Sequence, residues 1–493
     1  MENICIGFIL NNRIFHQTGR DMEEEFDFES PEEQKKFVSR FEEMIRNEDQ
    51  YFFDAGMFES IIDYYCDKNE PVKALQVIDF ATSQHPYEAN FYIKKAQLLA
   101  NMRQFTSALE SLDKAEILEP QDSDILLIKG TIYASLGKYD DAEALLHQSL
   151  QNADNKEEIY YQLATLYQLQ MDYEKAKHYL KKALRYNPSN PDALSELAFC
   201  FDMLDKGDEA LNFFKQLIDE DPYSYYCWYY LGNCYHRLNR FEEAIDAYDY
   251  AILINESFSS AYFNKGNALV NLERYSEAIE VYKQTFEYEQ PNADTYCAIG
   301  ECYEKLDLME TAREYYKKAV KLDHEMADAW FGIGVTLDFE ERYFESLHFY
   351  KKALELDEEN PEYWFAIADA RYKLGQIEES EEAYRKVVEL NPTDIEAWLD
   401  FSSIYFEQHK IDEAIDTIME AIHINEDSDS AELYYRLVAY LFANGQYNEA
   451  LNYLEVALSF GVEKHHILFE YLPQLQDNQL ILEIIKKYSD NND

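Results

Sequence analysis

Two groups of side chains stand thirty-four residues apart and share one chemistry. Tyr226, Tyr229, Tyr230, Asn233 and His236 form the first; Phe263, Asn264, Asn267 and Asn271 form the second. Neither group contains a carboxylate. An asparagine amide both donates and accepts, so it can satisfy an extended peptide backbone without reading its sequence. Aromatic rings beside it can take up apolar or cationic side chains. This is the chemistry of holding a chain.

The residues that could break a bond are not assembled. Catalysis needs a nucleophile, a base and a place to hold them. The eleven histidines are scattered, with no HExxH or other ligand spacing, and the adjacent pair His465-His466 reads as surface. No Gly-rich phosphate loop occurs, since Gly332 and Gly334 fall inside a helical pattern. Seven cysteines form no CxxC pair. Cys200, Cys234 and Cys302 recur at one position as small apolar residues, which fits reduced core thiols and a cytoplasmic compartment. No enzyme, metal or cofactor is expected.

The element that positions these residues is set by an alanine that returns every thirty-four residues. Ala74, Ala108, Ala142, Ala176, Ala210, Ala244, Ala278 and Ala312 lie on that grid, Ser346 and Ser380 continue it, and Ala414 and Ala450 close it. A fixed period of this length means a solenoid. In the unit 327–360, Ala329, Trp330, Ile333, Gly334 and Leu337 make one apolar helical stripe. Phe349, Tyr350, Ala353, Leu354 and Leu356 make a second. Glu340-Glu341-Arg342 turns the chain between them. Gly334 lets the second helix approach the first, with the alanine-grid position expected opposite it. Acids open the second helix, as in Asp140-Asp141 and Asp412-Glu413, and lysines follow, as in Lys317-Lys318. Both placements suit the helix dipole. Pro86, Pro120, Pro188, Pro222 and Pro392 then end it.

These residues resemble the tetratricopeptide repeat. All four tryptophans, Trp228, Trp330, Trp364 and Trp398, fall on the tryptophan position of its pattern. Leu231, Gly232, Tyr235, Ala244, Tyr248 and Ala251 fill the other slots of the unit that starts at Tyr225. The resemblance implies an all-α, right-handed superhelical solenoid of about twelve helix–turn–helix units with helical caps. Unit starts are expected at 55, 89, 123, 157, 191, 225, 259, 293, 327, 361, 395 and 431, so the repeats cover 55–464. Residues 22–54 read as an acidic segment and capping helix, with Ser30 as N-cap and a stripe of Phe37, Phe41, Met44 and Ile45. Residues 465–493 read as two capping helices around Pro473 and a frayed tail, with Leu480, Ile481, Ile484 and Ile485 covering the last repeat. Residues 1–21 are charge-neutral, unlike the rest, and Met22 is read as the initiator with an upstream extension before it.

The resemblance also implies where function sits. In this family the first helices line a concave groove read by positions 2, 5, 6, 9, 12 and 13 of each unit. The two groups named at the start lie on those positions and mark the expected peptide site. Tyr161, Phe331, Phe365 and Tyr435 stand at position 5 as secondary groove aromatics. Net charge is −53, from 44 basic and 97 acidic residues. That argues against nucleic acid and anionic membranes and favours a basic partner. With position 2 set aside, the groove is no more acidic than the whole chain. The function expected is a noncatalytic scaffold that binds a protein segment in the groove. The other readings are a regulatory subunit that docks a folded enzyme or regulator by its convex face, and an acidic competitor of nucleic-acid-binding proteins. Nothing in the sequence supports self-association.

Overall fold

The computed structural model describes residues 31–47, 51–425 and 430–492. Met22, the extension 1–21 and the Ser30 cap lie outside the described residues. The protein is all-α, a tetratricopeptide-type solenoid with 27 helices and no strands among the described residues. First helices begin at Ala55, Ala89, Ser123, Glu157, Pro191, Tyr225, Ser259, Ala293, Ala327, Pro361, Ile395 and Ala431. Each packs antiparallel on the second helix that follows it. The chain divides into two compact units, 1–254 and 255–493. The described part of the first unit holds the helix Pro31–Asn47 and six helix pairs. The second unit holds six pairs and the C-terminal elements.

The turn inside each pair is built the same way twelve times. Its fifteenth residue adopts a left-handed backbone, from Asn69 at φ 55° through Glu341 at 61° to Gly445 at 75°. Glycine takes this conformation freely only in the third, tenth and twelfth repeats. Elsewhere a side chain is held there because the turn closes the first helix. In the sixth repeat, Asn239 N–H donates to the His236 carbonyl at 3.0 Å and Arg240 N–H to that of Tyr235 at 2.9 Å. The tryptophans tie the turn between pairs. Trp228, Trp330, Trp364 and Trp398 each donate an indole N–H to a carbonyl six residues earlier, at 2.9–3.0 Å.

Every alanine-grid position is 0–1% exposed, as its spacing predicts. The partner of the first-helix glycine is different from the one expected. A Cβ on Gly334 would lie 2.5 Å from the Tyr350 ring, four residues past the grid position Ser346. Gly232 faces Tyr248 in the same way, and Gly300 faces Tyr316. In these repeats the glycine therefore makes room for an aromatic ring, and the small residue beside it lets the helices close on that ring; in the third repeat Gly130 faces Leu146 instead. Where the first helix carries Ala96 or Ala164, the second carries Leu112 or Leu180, a narrower side chain.

The caps also differ in detail. The N-terminal helix buries Val38, Phe41 and Met44, while Ile45 is 44% exposed. At the other end stand a six-residue helix His466–Tyr471, a 3-10 turn Pro473–Asp477 and a longer helix Gln479–Asn492. Ile481 and Ile485 are buried there, but Leu480 is 51% exposed. The buried stripe is thus rotated by about one position at both ends.

Gly334→Ala should lower the urea midpoint. Overpacking of about 1–3 kcal/mol outweighs the roughly 1 kcal/mol of helix propensity that alanine adds. Adding Tyr350→Leu should recover much of the loss, because that pair reproduces the second and fourth repeats. An additive double variant would show that the ring and the glycine are not coupled.

Candidate functional site

Tyr226, Tyr229, Tyr230, Asn233 and His236 lie on the helix Tyr225–Arg237 of the first unit, all half-buried. Their polar atoms are used within the fold. Asn233 Oδ1 accepts from the hydroxyl of buried Tyr248 at 2.8 Å. Tyr229 packs on that same ring at 6.0 Å and on Tyr230 at 5.2 Å. Tyr230 stacks on Phe214, and Tyr226 lies tilted against Tyr225 at 4.2 Å. His236 meets Phe241 edge-on, and burial lowers its pKa. Tyr161, the earlier position-5 aromatic, is also half-buried.

Phe263, Asn264, Asn267 and Asn271 lie on Ser259–Asn271 of the second unit. Asn267 Oδ1 accepts from the Tyr282 hydroxyl at 2.6 Å, repeating the Asn233 arrangement one unit on. Asn271 Nδ2 donates to the Asn267 carbonyl at 2.9 Å and is exposed. Phe263, Phe331 and Phe365 are half-buried, and each leans on the tyrosine of its own second helix, at 5.5, 5.3 and 5.6 Å. Tyr435 is the exception. It is fully buried, and its hydroxyl donates to the Gly461 carbonyl at 2.9 Å.

The tyrosines under this face point their hydroxyls toward its polar residues. In the eighth repeat Tyr316 donates to Glu304 at 2.8 Å. Burial holds Glu301, Glu304 and Asp338 above the usual carboxylate range. Asp400 is pushed up to about 6 by burial and by neighbouring Glu396, against the pull of Arg436. Three cations of this face are matched to acids of an adjacent repeat. Lys94 meets Asp63 at 2.9 Å, Arg237 pairs with Asp202, and Lys373 joins Asp338 at 2.9 Å and Asp369 at 2.6 Å. In repeats eight to eleven the face then carries Asp294, Glu301, Glu304, Asp328, Asp338, Glu362, Asp369, Glu396, Asp400 and Glu407 against Lys305 and Lys373.

A family model described as the C-terminal domain of cilia and flagella-associated protein 70 matches residues 192–434. Tetratricopeptide-repeat models match residues 93–157, 157–190 and 430–464. The chain is a tetratricopeptide-repeat protein. Such proteins are in general protein-interaction scaffolds. Three solved structures are similar to it. YrrB, described as a TPR protein with an unusual peptide-binding site, is 24% identical, covers 37% of this chain and 95% of its own, and has a TM-score of 0.32. The Cut9-Hcn1 hetero-tetramer of APC/C is 13% identical, with coverage of 85% and 94% and a TM-score of 0.41. MamA is 19% identical, with 33%, 95% and 0.31. No curated protein matches the chain.

Sequence reading of this tetratricopeptide face missed two things. The first is the ion pairing between repeats, since Lys94 and Asp63 are thirty-one residues apart and Lys373 and Asp338 thirty-five. Laying groove positions of neighbouring repeats side by side would have found both. The second is the service of Asn233 and Asn267 to buried hydroxyls, for which Tyr248 and Tyr282 carry no local signal. Among the described residues no group of three or more His, Cys, Asp or Glu could hold a metal ion, and no helix is long and apolar enough to cross a membrane.

Asp400 gives the face a pH signature. Its folded pKa of about 6 lies above the ordinary 3.8, so between those values the folded state holds a proton that the unfolded chain has released. Its contribution therefore falls as pH rises through that window. Asp400→Asn should stabilise the protein more near pH 7.5 than near pH 4, measured as the shift in urea midpoint. An equal shift at both would place the titration elsewhere.

Proposed function

We propose that the protein is a noncatalytic scaffold whose first-helix groove in repeats eight to eleven holds an extended, basic protein segment. The observation that carries this reading is the set of carboxylates there. Glu301, Glu304, Asp338 and Asp400 are kept above their usual range by burial, and Lys373 offsets only Asp338 and Asp369. A lysine or arginine laid beside such groups relieves the penalty of keeping them ionised. Half-buried Phe331 and Phe365 line the same face, so a cationic side chain meets both acids and rings.

Phe263, Asn264, Asn267 and Asn271 would continue this groove within the second unit. Asn267 has its carbonyl oxygen engaged, so its amide hydrogens are what it offers to a bound backbone. Tyr226, Tyr229, Tyr230, Asn233 and His236 would offer an aromatic and amide surface of the same kind on the first unit.

The test is affinity purification with crosslinking from native extract, using the unaltered chain and Glu304→Gln/Asp338→Asn/Asp369→Asn. The expected result is crosslinks on repeats eight to ten, elution of the partner by salt, and loss of most of it in the variant. An unchanged partner set would reject the groove reading. Asn267→Ala should weaken capture less, and should also lower stability by about 1–3 kcal/mol through the buried Tyr282 hydroxyl it abandons.

A further inference from the structure

The first helix of the last repeat, Ala431–Ala443, differs from its counterparts. The positions that face the groove elsewhere are covered. Tyr435 and Ala439 are 0% exposed, Arg436 6% and Phe442 8%, whereas Phe365, Ala366, Asp369 and Tyr372 of the tenth repeat are all half-buried. The cover is the chain itself. Residues 461–478 form a 3-10 turn Val462–His465, the six-residue helix His466–Tyr471 and a 3-10 turn Pro473–Asp477. The Tyr471 ring centre lies 3.8 Å from the Arg436 guanidinium carbon, and its phenol meets Ser403 of the eleventh repeat. Arg436 Nη1 donates to the Leu399 carbonyl at 3.0 Å and to Ser403 Oγ at 2.5 Å. One tyrosine thus spans the groove face of two repeats.

Two features set this segment apart from a fixed cap. Arg436 is more than nine-tenths buried, yet its Nε has no hydrogen-bond partner and no ion pair holds it among the described residues. A charge kept this way is a poor end state for permanent packing. The covering elements are also short, below the length at which a helix is stable alone, and they run between Gly461 and a turn that starts at Pro473. The second helix of the last repeat is covered mainly by Gln479–Asn492, with buried Ile481 and Ile485; that helix also touches the turns Val462–His465 and Pro473–Asp477.

We propose that residues 461–478 are a strap, a built-in occupant of the groove at repeats eleven and twelve. It opens independently of the last repeat and yields Arg436 to a partner segment that presents an aromatic side chain. The strap itself displays the chemistry that fits: a ring on the guanidinium face, with Leu468 and Leu472 buried beside it. The opening stands without the groove reading above; the exchange for a partner rests on it.

Amide hydrogen exchange on the full chain tests the opening. In the unaltered protein, amides of 462–478 should exchange on the order of 100-fold faster than those of 435–442, the spread expected between a local opening and a core helix. Tyr471→Ala should speed the strap a further 2- to 30-fold, roughly the range of a cation–π contact, and leave 435–442 unchanged. Tyr471→Phe, which keeps the ring, should resemble the unaltered chain. Strap and helix exchanging in one step, both accelerated by Tyr471→Ala, would overturn the proposal. A labelled peptide of sequence 464–478 tests the exchange. It should bind full-length Tyr471→Ala more tightly than the unaltered chain, and lose binding when its own tyrosine is alanine. Separate opening with no peptide bound would refute the docking step and leave the strap standing.

Discussion

The close approach of two helices over a missing side chain governs this structure. In repeats six to nine a glycine of the first helix leaves a slot, and a tyrosine of the second helix fills it. The rings of Tyr248, Tyr282, Tyr316 and Tyr350 are 1–2% exposed. Their length is what links packing to surface chemistry. A phenol seated in the slot is long enough to bring its oxygen through to the groove, where it meets Asn233, Asn267 or Glu304. The shorter leucine over Ala96 or Ala164 can fill space but cannot reach. In repeats six to eight, polar character in the groove is therefore coupled to the identity of one core residue.

That coupling changes the meaning of the large negative charge. Many acids sit at helix starts, where the dipole favours them. Those at groove positions 6, 9 and 12 are different, because tyrosine rings and neighbouring helices withdraw them from water. Pairing across repeats neutralises the cations first. Lys94, Arg237 and Lys373 are each matched to acids of an adjacent repeat. What is left in repeats eight to eleven is a stretch of carboxylates with raised pKa values and aromatic rings beside them. The field there is local, so the uniform charge of the chain is a weak guide to it.

A solenoid must also end. The last repeat would otherwise expose its groove face and its seam together, and here two adjoining pieces cover them. A regular helix takes the seam, and an irregular segment lies across the groove with Tyr471 on Arg436. Covering the first-helix face with a segment of the same chain gives that face and the cap a shared boundary. It also explains why Tyr435, on a position that is half-buried in most other repeats, is fully buried in this one.

The sequence alone determined the repeat, its length and its twelve starting points, because a thirty-four-residue period in small and apolar residues has one way to bury its stripes. It also placed every candidate groove residue on a first helix, since helical spacing is a local property. Phe331 and Phe365 on one face were legible from position number. Pairing was not. Asn233 is bound to a hydroxyl fifteen residues on, Lys373 to an acid thirty-five residues back, and the glycine slot to a ring rather than to the alanine beside it. Those outcomes depend on how far a side chain reaches across a helix interface, a distance set by packing in three dimensions. The same holds for the strap: Pro473 and the short apolar runs marked a break in helix, but only the tertiary structure decided that the broken segment would lie in the groove, over a buried arginine.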